Sequence, residues 1–325
     1  MKQKKDVQLI KIKPFKGFNS LNTKSIKFQN DKNNELSFKE VLRINQSANL
    51  ISIFPLGDII CSSGKFILIF DINFKKIQEI KAHNDSILCI SIKDDNNFIT
   101  SSYDDLIRVW KKKEKKFILH HTMEKSHESW IYGLLYCPNY YIISCSHDGT
   151  IKIWDENTNY QCITAIMHEF SVDSLLFLEE SNILISLGDE GIKSWNMTNL
   201  TLINHNENAY CIGWSHLIKM GKDRIIIIGD LDSRINIIEI KSLKQIKQID
   251  FGVKCYGICV FENKNIFLVS GKCNNLHIYD SISFKCLKII EKIHNDDLSL
   301  CKLNSNNLFL SYSKDGLIKV WAFNL

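Results

Sequence analysis

A serine, a histidine and a carboxylate are the ingredients of nucleophilic hydrolysis: the hydroxyl attacks, the imidazole takes its proton, and the acid orients the imidazole. The stretch SCSHDGTIKIWD, Ser144 to Asp155, supplies Ser144 and Asp148, and His127 lies 17 residues before the serine. On residue types alone the three read either as a catalyst or as a polar fastening within the fold.

Recurrence separates the two. The stretch returns as SSYDDLIRVWK (Ser101 to Lys111), SLGDEGIKSWN (Ser186 to Asn196) and SYSKDGLIKVWA (Ser311 to Ala322). Asp stands six residues before Trp in each, at Asp104 and Trp110, Asp148 and Trp154, Asp189 and Trp195, and Asp315 and Trp321. A histidine stands 21 residues before each aspartate, at His83, His127, His168 and His294. A nucleophile and its base serve one cleft, so a constellation repeated along the chain points to structure. Burying an aspartate requires its lone pairs to be satisfied, and a histidine and a hydroxyl can meet that need.

The elements that position these residues are strands. LCISI, FITSS, LIRVW and FILHH alternate or run apolar between polar turns, and helical periodicity is absent. Weaker copies place Phe70, Ile238 and Tyr279 at the Trp position, so the series 70, 110, 154, 195, 238, 279, 321 advances by 40 to 44 residues. Seven units of this length, each a four-stranded antiparallel sheet that must stack on its neighbours, predict a closed radial ring. Only AFNL follows Trp321, while LSFKEVLRI (Leu36 to Ile44) is a strand without a unit. Pairing the two would complete the last sheet and close the ring.

On these motifs the chain, over residues 36 to 325, resembles the WD40 family of β-propellers. The resemblance implies an all-β, seven-bladed propeller in which each blade holds an Asp, His, Ser/Thr and Trp chain. It assigns those roles to His83, Thr100, Asp104 and Trp110; to His127, Ser144, Asp148 and Trp154; and to His294, Ser311, Asp315 and Trp321. Blade four keeps His168, Asp189 and Trp195 but has Ile185 where the hydroxyl is expected. The Gly before His is replaced throughout, and Trp-Asp as a pair occurs only at Trp154 and Asp155.

Recognition is then left to loops on the faces of the ring. In the family, positions three and five after the repeat His and the residue before the turn Asp face one opening. Here they supply Tyr103, Trp130, Tyr132, His147 and Tyr210, the last by taking His205 as the histidine of blade five, with Asp173 and Asp297 beside the channel. Exposed aromatics with charge nearby anchor interfaces. The expected function is a non-catalytic scaffold that binds proteins or peptides, as an adaptor or a subunit of a larger complex.

Composition sets the remaining expectations. The net charge of +5 is concentrated in residues 1 to 34, where nine Lys oppose Asp6 and Asp31, leaving the rest at −2. Residues 1–34 therefore read as a basic extension, in which VQLIKIK has the pattern of a strand, and 35–325 as the propeller. The Lys-rich tail offers an alternative function, contact with RNA in a ribonucleoprotein or ribosome-assembly complex. No apolar run reaches the length of a membrane span and the first residues lack a secretory pattern, so an intracellular protein, cytoplasmic or nuclear, is expected. The eleven cysteines form no CxxC pair, no GxxxxGK or HExxH occurs, and the Phe-Arg-Arg-Gly of phosphoinositide-binding propellers is missing; no metal, cofactor or enzymatic activity is expected.

Overall fold

A strand covered on both faces needs apolar residues at every position, whereas one open to solvent can alternate. Arg224–Gly229 (RIIIIG) is of the first kind, its four isoleucines fully buried. Lys76–Lys81 (KIQEIK) and Gln245–Asp250 (QIKQID) are of the second, polar and mostly exposed. The computed structural model places these two kinds in the middle and at the rim of seven antiparallel sheets, six of four strands and one of five. It describes residues 25–29, 35–137, 141–209, 215–229, 233–272, 274–303 and 308–323.

The sheets are the blades of a seven-bladed β-propeller, arranged in a ring in chain order. Blade two consists of Ile87–Asp94, Asn97–Ser102, Ile107–Lys113 and Lys116–Met123. Blade three consists of Ile131–Cys137, Tyr141–Ser146, Thr150–Asp155 and Gln161–Met167, and blade four of Val172–Leu178, Ile183–Gly188, Gly191–Asn196 and Thr201–Asn206. First strands of successive blades lie beside one another, from Leu50–Ile53 in blade one to Leu298–Lys302 in blade seven. Apart from three single 3-10 turns, regular structure among the described residues is all strand.

The core is divided into seven apolar clusters, one in each gap between blades. Phe54, Ile67 and Ile69 of blade one meet Phe98, Trp110 and Phe117 of blade two. Ile99 and Val109 meet Leu134 and Trp154 across the next gap, and Ile143 and Ile153 meet Leu175 and Trp195 across the third. Each buried Ile, Leu or Phe contributes about 1.5–3 kcal/mol relative to exposure, so stability is spread around the ring. In the last gap Leu310, Tyr312 and Val320 of blade seven pack on Ile51, Cys61 and Phe70 of blade one.

Closure uses both parts of the chain. Glu35–Asn45 pairs antiparallel with Leu317–Phe323, from Phe38 opposite Phe323 to Asn45 opposite Leu317, and supplies the outer strand of blade seven. A fifth strand, Ser25–Gln29, pairs in turn with Glu35–Lys39. It lies downstream of VQLIKIK, which falls outside the described residues. The run Lys111–Lys116 spans a hairpin whose Glu114 and Lys115 both take positive φ, 53° and 89°, and leads into the outer strand of blade two.

Candidate functional site

In blade three the turn between Tyr141–Ser146 and Thr150–Asp155 places Asp148 against the loop that enters the blade. Gly149 follows in the left-handed region, φ 78°, and a Cβ there would stand 3.1 Å from the His168 carbonyl oxygen. Asp148 accepts from His127 Nδ1 at 2.9 Å, from the Glu128 N–H at 3.0 Å, and from the Thr150 N–H and hydroxyl at 2.9 and 2.6 Å. His127 Nε2 lies 2.6 Å from Ser144 Oγ, which also accepts from Trp154 Nε1 at 2.9 Å.

Protons are fixed by elimination. An ionised carboxylate only accepts and an indole N–H only donates, so His127 Nδ1 carries hydrogen toward Asp148 and Ser144 gives its own to Nε2. Burial lowers the pKa of His127 against the pull of Asp148, keeping the imidazole neutral. Burial also opposes ionisation of Asp148, but the bonds from His127, Thr150 and Glu128 outweigh it and hold the carboxyl well below its ordinary range. Ser144 is completely buried, its proton held by histidine and its oxygen by tryptophan. The hydroxyl has no path to a substrate.

The same chain is built twice more. His83 lies 2.9 Å from Asp104 and 2.8 Å from Thr100 Oγ1, which accepts from Trp110 Nε1 at 3.0 Å. His294 lies 3.0 Å from Asp315 and 2.9 Å from Ser311 Oγ, which accepts from Trp321 Nε1 at 2.7 Å. Both histidines are shifted down by burial; Asp104 and Asp315 are shifted down because their hydrogen bonds outweigh burial.

Blade four differs from the sequence expectation in two places. Ser186, not the position of Ile185, supplies the hydroxyl: its Oγ lies 3.0 Å from His168 Nε2 and 2.8 Å from Trp195 Nε1. Glu190, not Asp189, faces the imidazole. The cause is register, since histidine and hydroxyl are 18 residues apart here against 17 in blade three, and hydroxyl and tryptophan 9 against 10. The hairpin is thus one residue shorter, and the longer glutamate reaches back toward the entering loop, accepting from the Phe170 N–H at 3.1 Å. It stops 3.7 Å from His168 Nδ1, which is buried without a hydrogen-bond partner. Burial, then the cation of Lys193, push the His168 pKa down to about 4. Asp189 instead accepts from Ser171 Oγ at 3.0 Å.

One group of residues escaped the sequence reading although its spacing is constant. Arg108, Lys152 and Lys319, each four residues after its aspartate, donate to the carbonyls of Ala82, Ser126 and Ile293, immediately before the histidines; the Lys152 bond is 2.9 Å. The signal was a basic residue at a fixed offset in four copies, the fourth being Lys193, four after Asp189, which pairs with Glu190.

At the loop end of blades two and three the structure brings four rings together. Tyr103 meets Trp130 edge to face, centroids 5.1 Å apart at 85°. Trp130 meets Tyr132 at 6.4 Å and His147 at 5.8 Å, and Tyr132 meets His147 at 6.1 Å. The His147 N–H donates to the Trp130 carbonyl at 2.9 Å, tying turn to loop. Trp130 is 44% exposed, whereas Trp110, Trp154, Trp195 and Trp321 are between 3% and 7% exposed. Phe170, 59% exposed, sits on the adjacent loop, where its carbonyl lies 3.2 Å from where a Cβ of Gly149 would be. It stands two residues after His168, outside the offsets used to read the face.

The other candidate residues are placed differently. Asp173 accepts from Ser171 Oγ at 3.2 Å in the first strand of blade four, beside blade three. Asp297 lies in the loop entering blade seven, away from the rings. Tyr210 lies outside the described residues. His205, used to align it, is an exposed residue of blade four's outer strand, 2.9 Å from the Glu190 carbonyl. Among the described residues no group of His, Cys, Asp and Glu is placed to hold a metal ion, and no helix is long and apolar enough to cross a membrane.

The family model of the WD domain, G-beta repeat, matches residues 74–111 and 118–155. The chain is similar to the p21-activated protein kinase-interacting protein 1-like of Xenopus laevis, 24% identical over 252 residues, covering 75% of this chain and 66% of that protein. The protein of the same name from Gallus gallus is 23% identical over 75% of this chain and 65% of its own length. Telomerase protein component 1 of Rattus norvegicus is 26% identical over 38% of this chain and 5% of that protein. The matched region thus spans just under two thirds of the first two relatives.

Proposed function

We propose, from the premise that this chain is a seven-bladed propeller of WD40 repeats, that it is a protein-interaction scaffold docking a partner on the loop end of blades two and three. Residues 35–325 act as the docking unit and 1–34 as its extension. The observation that carries the reading is the group Tyr103, Trp130, Tyr132 and His147, whose rings pack on one another at the loop end while Trp130 keeps 44% of its surface exposed. Large rings held by their neighbours lose little freedom when covered, which is what an interface anchor requires.

Two further points support it. The hydroxyls that resembled nucleophiles are buried and doubly engaged, which favours a non-catalytic role. The Xenopus and chicken relatives are named for interaction with a kinase and the rat relative as a component of telomerase; both names describe association. The RNA alternative rested on residues 1–34, of which only Ser25–Gln29 is described, and the described body adds nothing to it.

The test is quantitative mass spectrometry of proteins retained by the tagged chain in its native cells, compared with a Trp130→Ala, His147→Ala variant of unchanged circular dichroism. Selective loss of a defined set of proteins is expected. An identical set from both chains would refute the reading.

A further inference from the structure

The loops around the aromatic group are strongly acidic. Residues 83–86, 103–106, 124–130, 147–149, 168–173 and 188–191 contain ten Asp or Glu and one Lys. Asp104, Asp148 and Glu190 are turned to the buried histidines. Six others, Asp85, Asp105, Glu124, Glu128, Glu169 and Asp189, are exposed; the cations beside them are Lys125 and three that reach in from the strands, Arg108 and Lys152 to the carbonyls of Ala82 and Ser126 and Lys193 to Glu190. The corresponding loops of blades six, seven and one, residues 63–65, 252–255, 271–275, 291–297 and 313–316, hold five Lys against four acids. The field over the ring opening is therefore lopsided, negative around the exposed indole and near neutral over blades six, seven and one.

An indole with 44% of its surface exposed, among loops where exposed carboxylates outnumber the cations, suits a cation more than any other group. The ring quadrupole attracts a guanidinium or ammonium, and surrounding acids raise its local concentration without neutralising it by contact. Trp130 is held for this role by Tyr103 edge-on at 85° and by the bond from His147 to its carbonyl. We propose that the segment docked here is basic, with one arginine or lysine side chain lying over Trp130 and its neighbours facing Glu128, Glu169 and Asp105. The inference rests on the docking reading above and names the chemistry of its partner.

The probes are four fluorescein-labelled Gly/Ser dodecapeptides bearing four Arg, four Lys, four Glu or four Leu, titrated with the full chain by anisotropy at low salt. The Arg and Lys peptides are expected to bind and the Glu and Leu peptides not. Trp130→Ala should weaken binding about fivefold to thirtyfold, the worth of about 1 to 2 kcal/mol for a partly desolvated cation–π contact. Glu128→Lys with Glu169→Lys should abolish it, while the same reversal at exposed Glu239 and Asp250, on the rim of blade five, should leave it within about twofold. Equal binding of the basic peptides to wild type and Trp130→Ala, equal loss from both reversals, or no binding of basic peptides would each overturn the inference. Binding of the Leu or Glu peptide that is lost in Trp130→Ala would overturn it and leave the docking reading standing.

Discussion

Replacing Asp148 by Asn keeps the shape of the side chain and removes its charge, so it isolates what the hydrogen-bonded chain of blade three is worth. The carboxylate receives four bonds, from His127 Nδ1, the Glu128 N–H, and the Thr150 N–H and hydroxyl, at 2.6 to 3.0 Å. An amide has one accepting oxygen, and its NH2 must face two of these donors; in place of Oδ1 it meets the Thr150 hydroxyl, which can turn to accept, and the Thr150 N–H, which cannot. One buried donor orphaned costs about 1–3 kcal/mol, and losing charge assistance on the rest brings the total to about 3 kcal/mol. For 325 residues the unfolding entropy is about 0.7 kcal/mol/K, so Tm should fall by about 4 °C. Differential scanning calorimetry reads this directly. Asp105→Asn, exposed beside Asp104 in blade two, is the control and should stay within about 0.5 kcal/mol of wild type. A shift under 1 °C for Asp148→Asn, or the same shift for both variants, would refute a stabilising role for the chain.

Acidification gives an independent reading. His168 resists protonation down to about 4 in the fold but protonates at its ordinary 6.5 when unfolded, so the unfolded state binds more protons between those values. Stability should therefore fall as pH drops from 6.5 to 4, by at most about 3 kcal/mol from this group, and His168→Gln should show a shallower slope in urea titrations. Gly149→Ala must be strained twice, by φ 78° and by the His168 and Phe170 carbonyls at 3.1 and 3.2 Å, and should melt lower than Gly316→Ala, whose φ of 85° has no neighbour within 4 Å. Truncation of residues 1–29 should leave a cooperative calorimetric transition. Truncation of 1–45, which strips the closing strand from Leu317–Phe323, should abolish it.

The ring was legible because its signal is periodic. Trp110, Trp154, Trp195 and Trp321 recur at one spacing and mark the same point of each blade, and a strand without a unit at 36–44 implied its partner at the other end of the chain. Legibility ended where register changed. The turn LGDEG in blade four is one residue shorter than CSHDGT, and counting from the tryptophan selected Asp189 where the fold uses Glu190. Side-chain length compensates for backbone length, a substitution no fixed offset detects. Phe170 was missed for a related reason: its exposure depends on the path of a loop. Its position in the repeat does not set it.

Residues that hold blades two and three and residues that face outward are chain neighbours. Tyr103 precedes Asp104, His147 precedes Asp148, and Trp130 follows His127 by three. Fixing Asp148 to His127 and to the Glu128 N–H fixes the loop carrying Trp130 relative to the turn carrying His147, and the bond between their backbones completes the frame. The Tyr103 N–H makes the equivalent bond to the Ser86 carbonyl at 3.1 Å in blade two. A loop end arranged before its partner arrives surrenders less entropy on docking. The two adjacent blades with complete chains, two and three, are those that present the aromatic group, whereas blade four has an unpaired His168 Nδ1 and contributes the more exposed Phe170. Asp148→Asn should consequently weaken docking as well as lower Tm, although Asp148 is turned inward to His127, and Asp315→Asn, which breaks the same chain in blade seven, should lower Tm alone.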